Sequence, residues 1–485
     1  MAQASSALKV VFLLQRPEAW DNVASVWAKM VSDDRFSPAV LLLPYNIRDV
    51  RMSAERAVLH RKLLVHHDVP FVEWEPGGEL ESGEFDVAIF THPYDRERPE
   101  AFWFAQVRRK VGKVVYIPYG LTVGAGAKNL RLQFAQPLQV GADLVVARSP
   151  GEKAMYARYC PRGDAHVQVL GHPRFDALLQ AFKTIDATEL SARIGGRVAI
   201  LWNSHFSFGH RYSQSANFST FDLLGPEIFE LFARNRERLC LVWRPHPGLF
   251  PALVEQQLIC WEELPQLRAE LHEIGVVLDE APSHLQSFLC SDALLSDAGS
   301  FLFDYLAVQR PQLTLLNAEG EALNEEARAL VQASGYASDM AALCHFLDTV
   351  VQGPVNAKHL AELRARFLPL ADGCSGQRVC EAIVSDRPDT SSTARSAKHA
   401  LSEHGSECGE ARPIAPPLRD GAAIVMPPVL SKLMVGLRQI RAEKQAQSRC
   451  RKLLRRRLNW MRTWVGETIK QRPALMAAIS RLRGI

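Results

Sequence analysis

The sequence predicts an α/β protein built from two parallel-sheet domains and a basic helical tail. Three observations carry this expectation. Short apolar runs alternate with stretches of helical period through the first 385 residues, as strands do when crossover helices bury both sheet faces. The pattern pauses at Pro173 and the polar stretch 183–191, then begins again. Charge is uneven: the net value is +4, yet from Val429 onward roughly fifteen Lys or Arg face two Glu, which leaves the preceding body acidic.

The first alternating set places strands at Lys9–Leu14, Ala39–Leu43, Val87–Phe90, Lys113–Ile117, Leu144–Ala147 and Val167–Leu170, with helices such as Val23–Val31 and Arg51–His66 between them. The second places strands at Val198–Trp202, Leu239–Trp243, Val276–Leu278, Ala293–Leu295 and Gln312–Leu316. Its helices include Pro226–Arg234 and Phe301–Val308, and closing helices are expected over Ala357–Val384. The expected organisation is a first domain over 1–182, a second over 183–385, a flexible linker over 386–428 rich in Ser, Pro, Gly and charge, and an amphipathic tail over 429–485. In the tail Leu430, Leu433, Met434, Leu437 and Ile440 recur at helical spacing. Farther on, Leu458, Trp460 and Trp464 accompany Arg455-Arg456-Arg457.

Composition narrows the class. With 47% hydrophobic and 23% charged residues the chain reads as an ordinary globular protein. No run of eighteen apolar residues suggests a membrane span, and residues 7–14 are too short for a secretion signal, so a cytoplasmic location is expected. Nine cysteines lie scattered without metal-ligand spacing. They read as small core residues in a reducing compartment, and neither metal nor cofactor is expected.

Two motifs carry chemistry. Arg244-Pro245-His246-Pro247 follows the Leu239–Trp243 strand, and Ser296-Asp297-Ala298-Gly299-Ser300-Phe301-Leu302-Phe303-Asp304-Tyr305 follows Ala293–Leu295. Both sit at strand ends, the edge where open α/β sheets bind ligands. Arg244 and His246 can oppose phosphate charge. Gly299 and Ser300 open a helix whose free N–H groups favour an anion, and Asp304 falls one turn later. The pair predicts a pyrophosphate site, against an alternative of turn histidine and helix caps. Asn203 and His205 end the first strand of the second domain and are expected to approach His246. Tyr119-Gly120 end a first-domain strand facing the same cleft. Arg174 could reach phosphate or pair locally with Asp176. No strand-end Asp-x-Asp pair, Lys-ending phosphate loop, serine elbow or zinc motif is present.

Arg-Pro-His-Pro followed by Ser-Asp-x-x-Ser-x-x-Phe-Asp-Tyr resembles the CDP-glycerol glycerophosphotransferase family of teichoic-acid-type polymerases. Gly171-His172-Pro173-Arg174-Phe175-Asp176 is similar to that family's Gly-x-Pro-Arg-x-Asp segment, and Asp372-Gly373 to its closing segment. The likeness spans about Lys113 to Ser385. It implies a GT-B fold: two Rossmann-like domains with a cleft between them, the nucleotide held mainly by the second. It also implies inverting-type transfer without an obligatory metal, Arg244 and His246 on the donor pyrophosphate, and Asp297, Gly299, Ser300 and Asp304 lining the nucleotide-phosphate pocket. The family's polymerases carry His-Gly where this chain has Tyr119-Gly120, and Trp202-Asn203-Ser204-His205-Phe206 departs from their Pro-Thr-x-Arg form. His205 or His246 is therefore the candidate base.

The implied activity is a transferase of cell-surface polymer assembly. It would move glycerol phosphate from CDP-glycerol to a hydroxyl on a lipid-linked glycan or polymer. A nucleotide-sugar glycosyltransferase and an inactive GT-B scaffold are the alternatives. The tail is expected to rest on an anionic membrane surface rather than on nucleic acid, with packing on the protein's own body as the competing reading.

Overall fold

In a computed structural model, residues 7–45, 50–209, 217–281, 283–353, 356–385, 418 and 424–470 are described, with backbone alone for 17–19, 50–56 and 451–470. The first sheet comprises β1 (Leu8–Leu14), β2 (Phe36–Leu42), β3 (Val72–Glu73), β4 (Val87–Phe90), β5 (Lys113–Tyr116), β6 (Leu144–Ala147) and β7 (Val167–Val169). The second comprises β8 (Val198–Asn203), β9 (Leu239–Trp243), β10 (Val277–Leu278), β11 (Ala293–Asp297), β12 (Gln312–Leu315) and β13 (Tyr336–Ala337). All strand pairs within both sheets are parallel. The orders are β3-β2-β1-β4-β5-β6-β7 and β10-β9-β8-β11-β12-β13, so each sheet winds outward in both directions from its first strand. That winding leaves a crevice between β1 and β4, and another between β8 and β11.

Strands read as continuous apolar runs are buried throughout, such as β4, β6 and β9. Two strands escaped the periodicity reading. β3 and β13 are two residues each, and they expose Val72 and Tyr336 to solvent. The second strand begins at Phe36 rather than Ala39. Pro38 fits inside it because β3 pairs only with Leu41 and Leu42, so no neighbour on that side needs the missing N–H. Helix Phe221–Arg234 starts a turn before Pro226 and carries that proline inside it. The expected helix Phe301–Val308 is one α turn, Phe301–Asp304, tightened into a 3-10 turn over Tyr305–Val308.

Two segments cross between the halves of the chain. Helix Ser375–Val384 packs on the first sheet, its Val379, Cys380 and Ile383 sharing a core with Val10 and Phe12. Asp176 anchors its start, accepting from Ser375 N at 3.2 Å and Gly376 N at 2.7 Å. The closing helix therefore covers the first domain rather than the second.

The tail corrects the sequence expectation more sharply. Its helix, Pro428–Lys470, begins inside the second domain's core, where Val429, Leu430, Leu433, Met434 and Leu437 are buried. Glu270 accepts from Val429 N (3.2 Å) and Leu430 N (2.7 Å), satisfying the first N–H groups of the helix. Lys432 meets Glu263, Arg438 meets Glu230, Arg441 meets Glu227 and Lys444 meets Asp222, all within 2.6–2.8 Å. The apolar stripe up to Leu437 thus lies on the body, not on a membrane, and part of the basic charge neutralises the acidic body. Of the segment expected to be a linker, Leu418, Ile424 and Met426 also pack on this core. The remainder of 386–423, and the side chains of Arg455, Arg456, Arg457, Leu458, Trp460 and Trp464, lie outside the described residues.

Leu433→Ala should therefore lower the unfolding free energy by roughly 2–5 kcal/mol, the cost of a core cavity. Chemical denaturation of the two proteins measures it. An unchanged midpoint would detach the tail from the core.

Candidate functional site

The second sheet reverses direction between β8 and β11, and the residues leaving β8, β9 and β11 meet there. Asp297, the last residue of β11, organises the meeting. Its buried carboxylate accepts from His205 N (2.7 Å) and Ser219 Oγ (3.1 Å) at one oxygen, and from Thr220 N (3.0 Å) and Thr220 Oγ1 (2.5 Å) at the other. Burial pushes its pKa up to about 6 despite these donors. The carboxylate is taken up in holding loops, so Asp297 positions the site rather than facing a ligand.

His205 and His246 come together as the sequence suggested, with ring centroids 5.1 Å apart. Phe206 packs against both rings, 4.5 Å from His205 and 4.6 Å from His246, so the three centroids form a triangle. Each ring is oriented by its own loop. His205 Nδ1 accepts from Ser207 N at 3.2 Å and sits 2.6 Å from Ser207 Oγ; His246 Nδ1 accepts from Gly248 N at 3.0 Å. A backbone N–H can only donate, so in a neutral ring Nδ1 is the bare nitrogen and Nε2 bears the proton. In both rings a loop N–H thus occupies Nδ1, and the proton of the neutral ring sits on Nε2. Burial, then the neighbouring His246, pushes His205 well below the ordinary imidazole range, so it is neutral at pH 7.

Arg244 lies one residue beyond β9 and is braced. Its Nη1 lies 2.8 Å from Asp279 Oδ2, and Nη2 donates to Ala281 O at 2.8 Å. Asn203 Nδ2 donates to Arg244 O at 2.9 Å, tying the ends of β8 and β9. Gly299 and Ser300 are half-buried at the end of β11. The first intrahelical bond there runs from Leu302 N to Gly299 O, so the N–H groups of Ser300 and Phe301 precede it. A Cβ on Gly299 would meet only Asp297 O, at 3.7 Å.

Sequence reasoning overlooked His284. Its ring packs 4.6 Å from Phe288 and 5.1 Å from Phe301. Burial, then the charges of Arg244 and Arg174, push it well below the usual imidazole range. It follows β10 by six residues, too far past the strand end for the logic that found His246 to flag it.

Arg174 pairs with Asp304, not with Asp176: Nη2 lies 3.1 Å from Asp304 Oδ2, and both side chains are largely buried. Asp304 is thus neither solvated nor open to a ligand. It joins the second domain to the helix Pro173–Thr184 that leaves the first sheet. Nearby, Arg148 pairs with Glu326 and lies 3.8 Å above the Phe303 ring. Ala125 N donates to Ala322 O, Asn324 N to Val123 O, and Gly126 N to Glu321 Oε1. Loops leaving β5, β6 and β7 thus meet loops leaving β11 and β12, so the two ligand-binding edges face each other.

On the first-domain side, Tyr119 packs 5.0 Å from the His92 ring, and the Arg16 guanidinium lies 5.0 Å from the Tyr119 ring centre. Gly120 has open space where a Cβ would stand. His172 Nε2 lies 2.7 Å from Pro118 O, fixing the turn before Tyr119. Among the described residues, no group of three His, Cys, Asp or Glu could hold a metal ion, and no helix is long and apolar enough to cross a membrane.

Burial pushes Asp304 up to about 6, against the lowering charges of Arg174 and Arg148. The folded chain holds this proton more tightly than the unfolded chain, so the group's contribution to stability falls as pH rises from about 4 to 6. Asp304→Asn removes that fall. Relative to wild type, the variant should gain about 2 kcal/mol between pH 4 and 6.5 in parallel denaturation series. A constant gap between the two proteins would contradict the raised pKa.

No family model matches this chain, and no curated protein matches it in sequence. Solved structures do. UDP-GlcNAc 2-epimerase from Methanocaldococcus jannaschii, in complex with UDP-GlcNAc and UDP, is 12% identical with a TM-score of 0.53, over 78% of this chain and 99% of its own. The Neisseria meningitidis UDP-GlcNAc 2-epimerase bound to UDP-GlcNAc is 14% identical with a TM-score of 0.51, over 78% and 99%. The wall teichoic acid polymerase TagF, soaked with CDPG, is 11% identical with a TM-score of 0.50, over 78% and 88%. At such identities the likeness is one of fold, and with two doubly wound parallel sheets whose ligand edges face each other, the chain has the GT-B fold.

Proposed function

We propose that the chain is a nucleotide-dependent GT-B transferase of cell-surface polymer assembly, moving glycerol phosphate from CDP-glycerol to a hydroxyl on a lipid-linked glycan or polymer. The observation that carries this reading is the meeting of His205, His246, Arg244 and His284 at the second sheet's crevice, beside the Gly299-Ser300 turn and opposite Arg174. Cationic and N–H donors gathered at a strand-end crevice suit a pyrophosphate. The acceptor oxygen would bond to the β-phosphorus of the donor while the bond from that phosphorus to the bridging oxygen breaks. CMP departs and the hydroxyl proton is lost to water. Nε2–H of His246 and of His205 would donate to phosphate oxygens as charge grows on the leaving group, with Arg244 adding its positive field.

A nucleotide-sugar glycosyltransferase is the second reading, favoured by the fold neighbours that bind UDP-GlcNAc. Tyr119 at the position of the polymerases' histidine favours the third, an inactive scaffold. Release of CMP from CDP-glycerol, compared with nucleotide release from UDP- and GDP-sugars in the presence of acceptor, separates all three. His246→Ala should lower turnover of the preferred donor by roughly 100-fold or more. Near-normal turnover in the folded variant would remove His246 from the chemistry.

Membrane attachment belongs to the same reading but to a shorter segment. The basic groups up to Lys444 are paired with the body, which leaves the sequence beyond Ser448, with Arg455, Arg456, Arg457, Trp460 and Trp464, to meet anionic lipid. Full-length protein should co-sediment with anionic vesicles, and a chain ending at Ser448 should stay in the supernatant while keeping its fold. Equal sedimentation of the two would end the membrane proposal.

A further inference from the structure

We infer that a cavity at the end of β5 holds a neutral, hydroxyl-rich group, a sugar ring or glyceryl unit at the reacting end of the acceptor. The word acceptor rests on the transferase reading above; the binding chemistry does not. The cavity has a volume of ≈160 Å³, about ten times the ~15 Å³ that one water needs. It lies between the turn at Tyr119-Gly120 and the helix Ala127–Phe134, on the first-domain edge that faces the second domain.

The lining decides the ligand class. Tyr94, Tyr116, Tyr119 and Tyr156 all border the cavity. Burial raises the pKa of Tyr94, Tyr116 and Tyr156, so those hydroxyls stay neutral and can both donate and accept. Tyrosine rings beside such hydroxyls suit a molecule with apolar C–H faces and polar edges. No Lys, Arg or His lines the cavity, while Glu152 does. That carboxylate is 2% exposed, and burial raises its pKa. An anion would enter with no cationic side chain on the wall and beside a carboxyl group, so phosphate is disfavoured here and suits the site across the cleft better.

Two further observations point to a ligand. Gln133 Oε1 is buried without a hydrogen-bond partner, although the amide's Nε2 donates to Asn129 Oδ1. An acceptor left in that state calls for a donor, and a ligand hydroxyl is one. Gly120 borders the cavity and leaves the space above its Cα open, with no atom within 4 Å of a built Cβ. The wall of the cavity is also tied to the second domain. Asn129 Nδ2 donates to Glu321 Oε1 at 3.2 Å, and Gly126 N to the same oxygen at 2.7 Å. The loop carrying Glu321 thus braces the cavity's helix from the second domain.

Saturation-transfer NMR on the intact protein tests this, with glycerol and N-acetylglucosamine as neutral probes and inorganic phosphate as competitor. At least one neutral probe should receive saturation, and the stronger of the two identifies the glyceryl or the sugar form. Phosphate should not displace it. Gly120→Leu should abolish the signal by filling the mouth. Gln133→Leu, a milder change, should weaken it about three- to tenfold through loss of one hydrogen bond. CMP, observed in the same samples, reports the second-domain site separately. CMP that fails to bind wild type counts against the transferase reading and leaves the cavity result standing. Absence of both neutral probes from wild type, displacement by phosphate, or undiminished binding in the two variants overturns the inference.

Discussion

The site depends on one buried carboxylate. Asp297 stands where the second sheet reverses direction, and four donors from two loops converge on it. Hydrogen bonds to a charged group contribute about 1.5–3 kcal/mol each, yet burial still raises the acid's pKa, so desolvation of the carboxylate outweighs the set. The arrangement is therefore a poor source of stability and a good source of geometry. It fixes the backbone of His205, and Ser219 Oγ, whose single O–H is shared between the carboxylate (3.1 Å) and His205 O (2.7 Å), ties the loop entering Phe221–Arg234 to the same residue. His205 is held from both its N–H and its C=O, and Ser207 orients its ring 5.1 Å from that of His246. The proline pair around His246 and the Gly248 N–H fix the other ring.

Closure of the two domains follows from charges that a local reading of the sequence assigns elsewhere. Arg174 and Asp304 are far apart in the chain and nearly dry in the fold, as are Arg148 and Glu326. A buried pair of this kind gains little over apolar packing, but losing one partner leaves the other charged and stranded, which costs several kcal/mol. The seam is thus stable when shut and costly when half open.

Much of the sheet architecture was legible because parallel strands must be apolar along their whole length. β4, β6 and β9 were delimited to the residue, and the motifs at the ends of β9 and β11 fell at the crevice for the same reason. The failures have physical causes. β3 and β13 are too short to carry a period. Asp176 reads as a neighbour for Arg174, but it is consumed in holding the start of Ser375–Val384, a contact between residues 200 positions apart. His284 stands six residues beyond β10, past the strand-end turn that a motif reading searches, although the strand itself was read at Val276–Leu278. The tail misled because an amphipathic basic helix has the same pattern whether its apolar stripe meets lipid or protein. What separates the two is the acidic surface that meets the tail: Asp222, Glu227 and Glu230 on the helix Phe221–Arg234, and Glu263 on the turn Trp261–Glu263, which only the fold brings beside it.

The tautomers of His205 and His246 bear on the residue at position 119. A missing histidine there looks fatal if the reaction needs strong general-base catalysis. Phosphoryl transfer through a loose transition state needs it less. Bond formation to the incoming oxygen lags behind departure of the leaving group, so the hydroxyl keeps most of its proton until late, and the demand falls on donors that meet the charge growing on the departing phosphate. In the proposed transfer, two Nε2–H groups, one from each ring, would answer that demand without a change of tautomer. Under the transferase reading, Tyr119 then takes no part in proton removal. It forms one wall of the neutral cavity, and its contribution lies in where the acceptor hydroxyl is held rather than in how that hydroxyl is ionised.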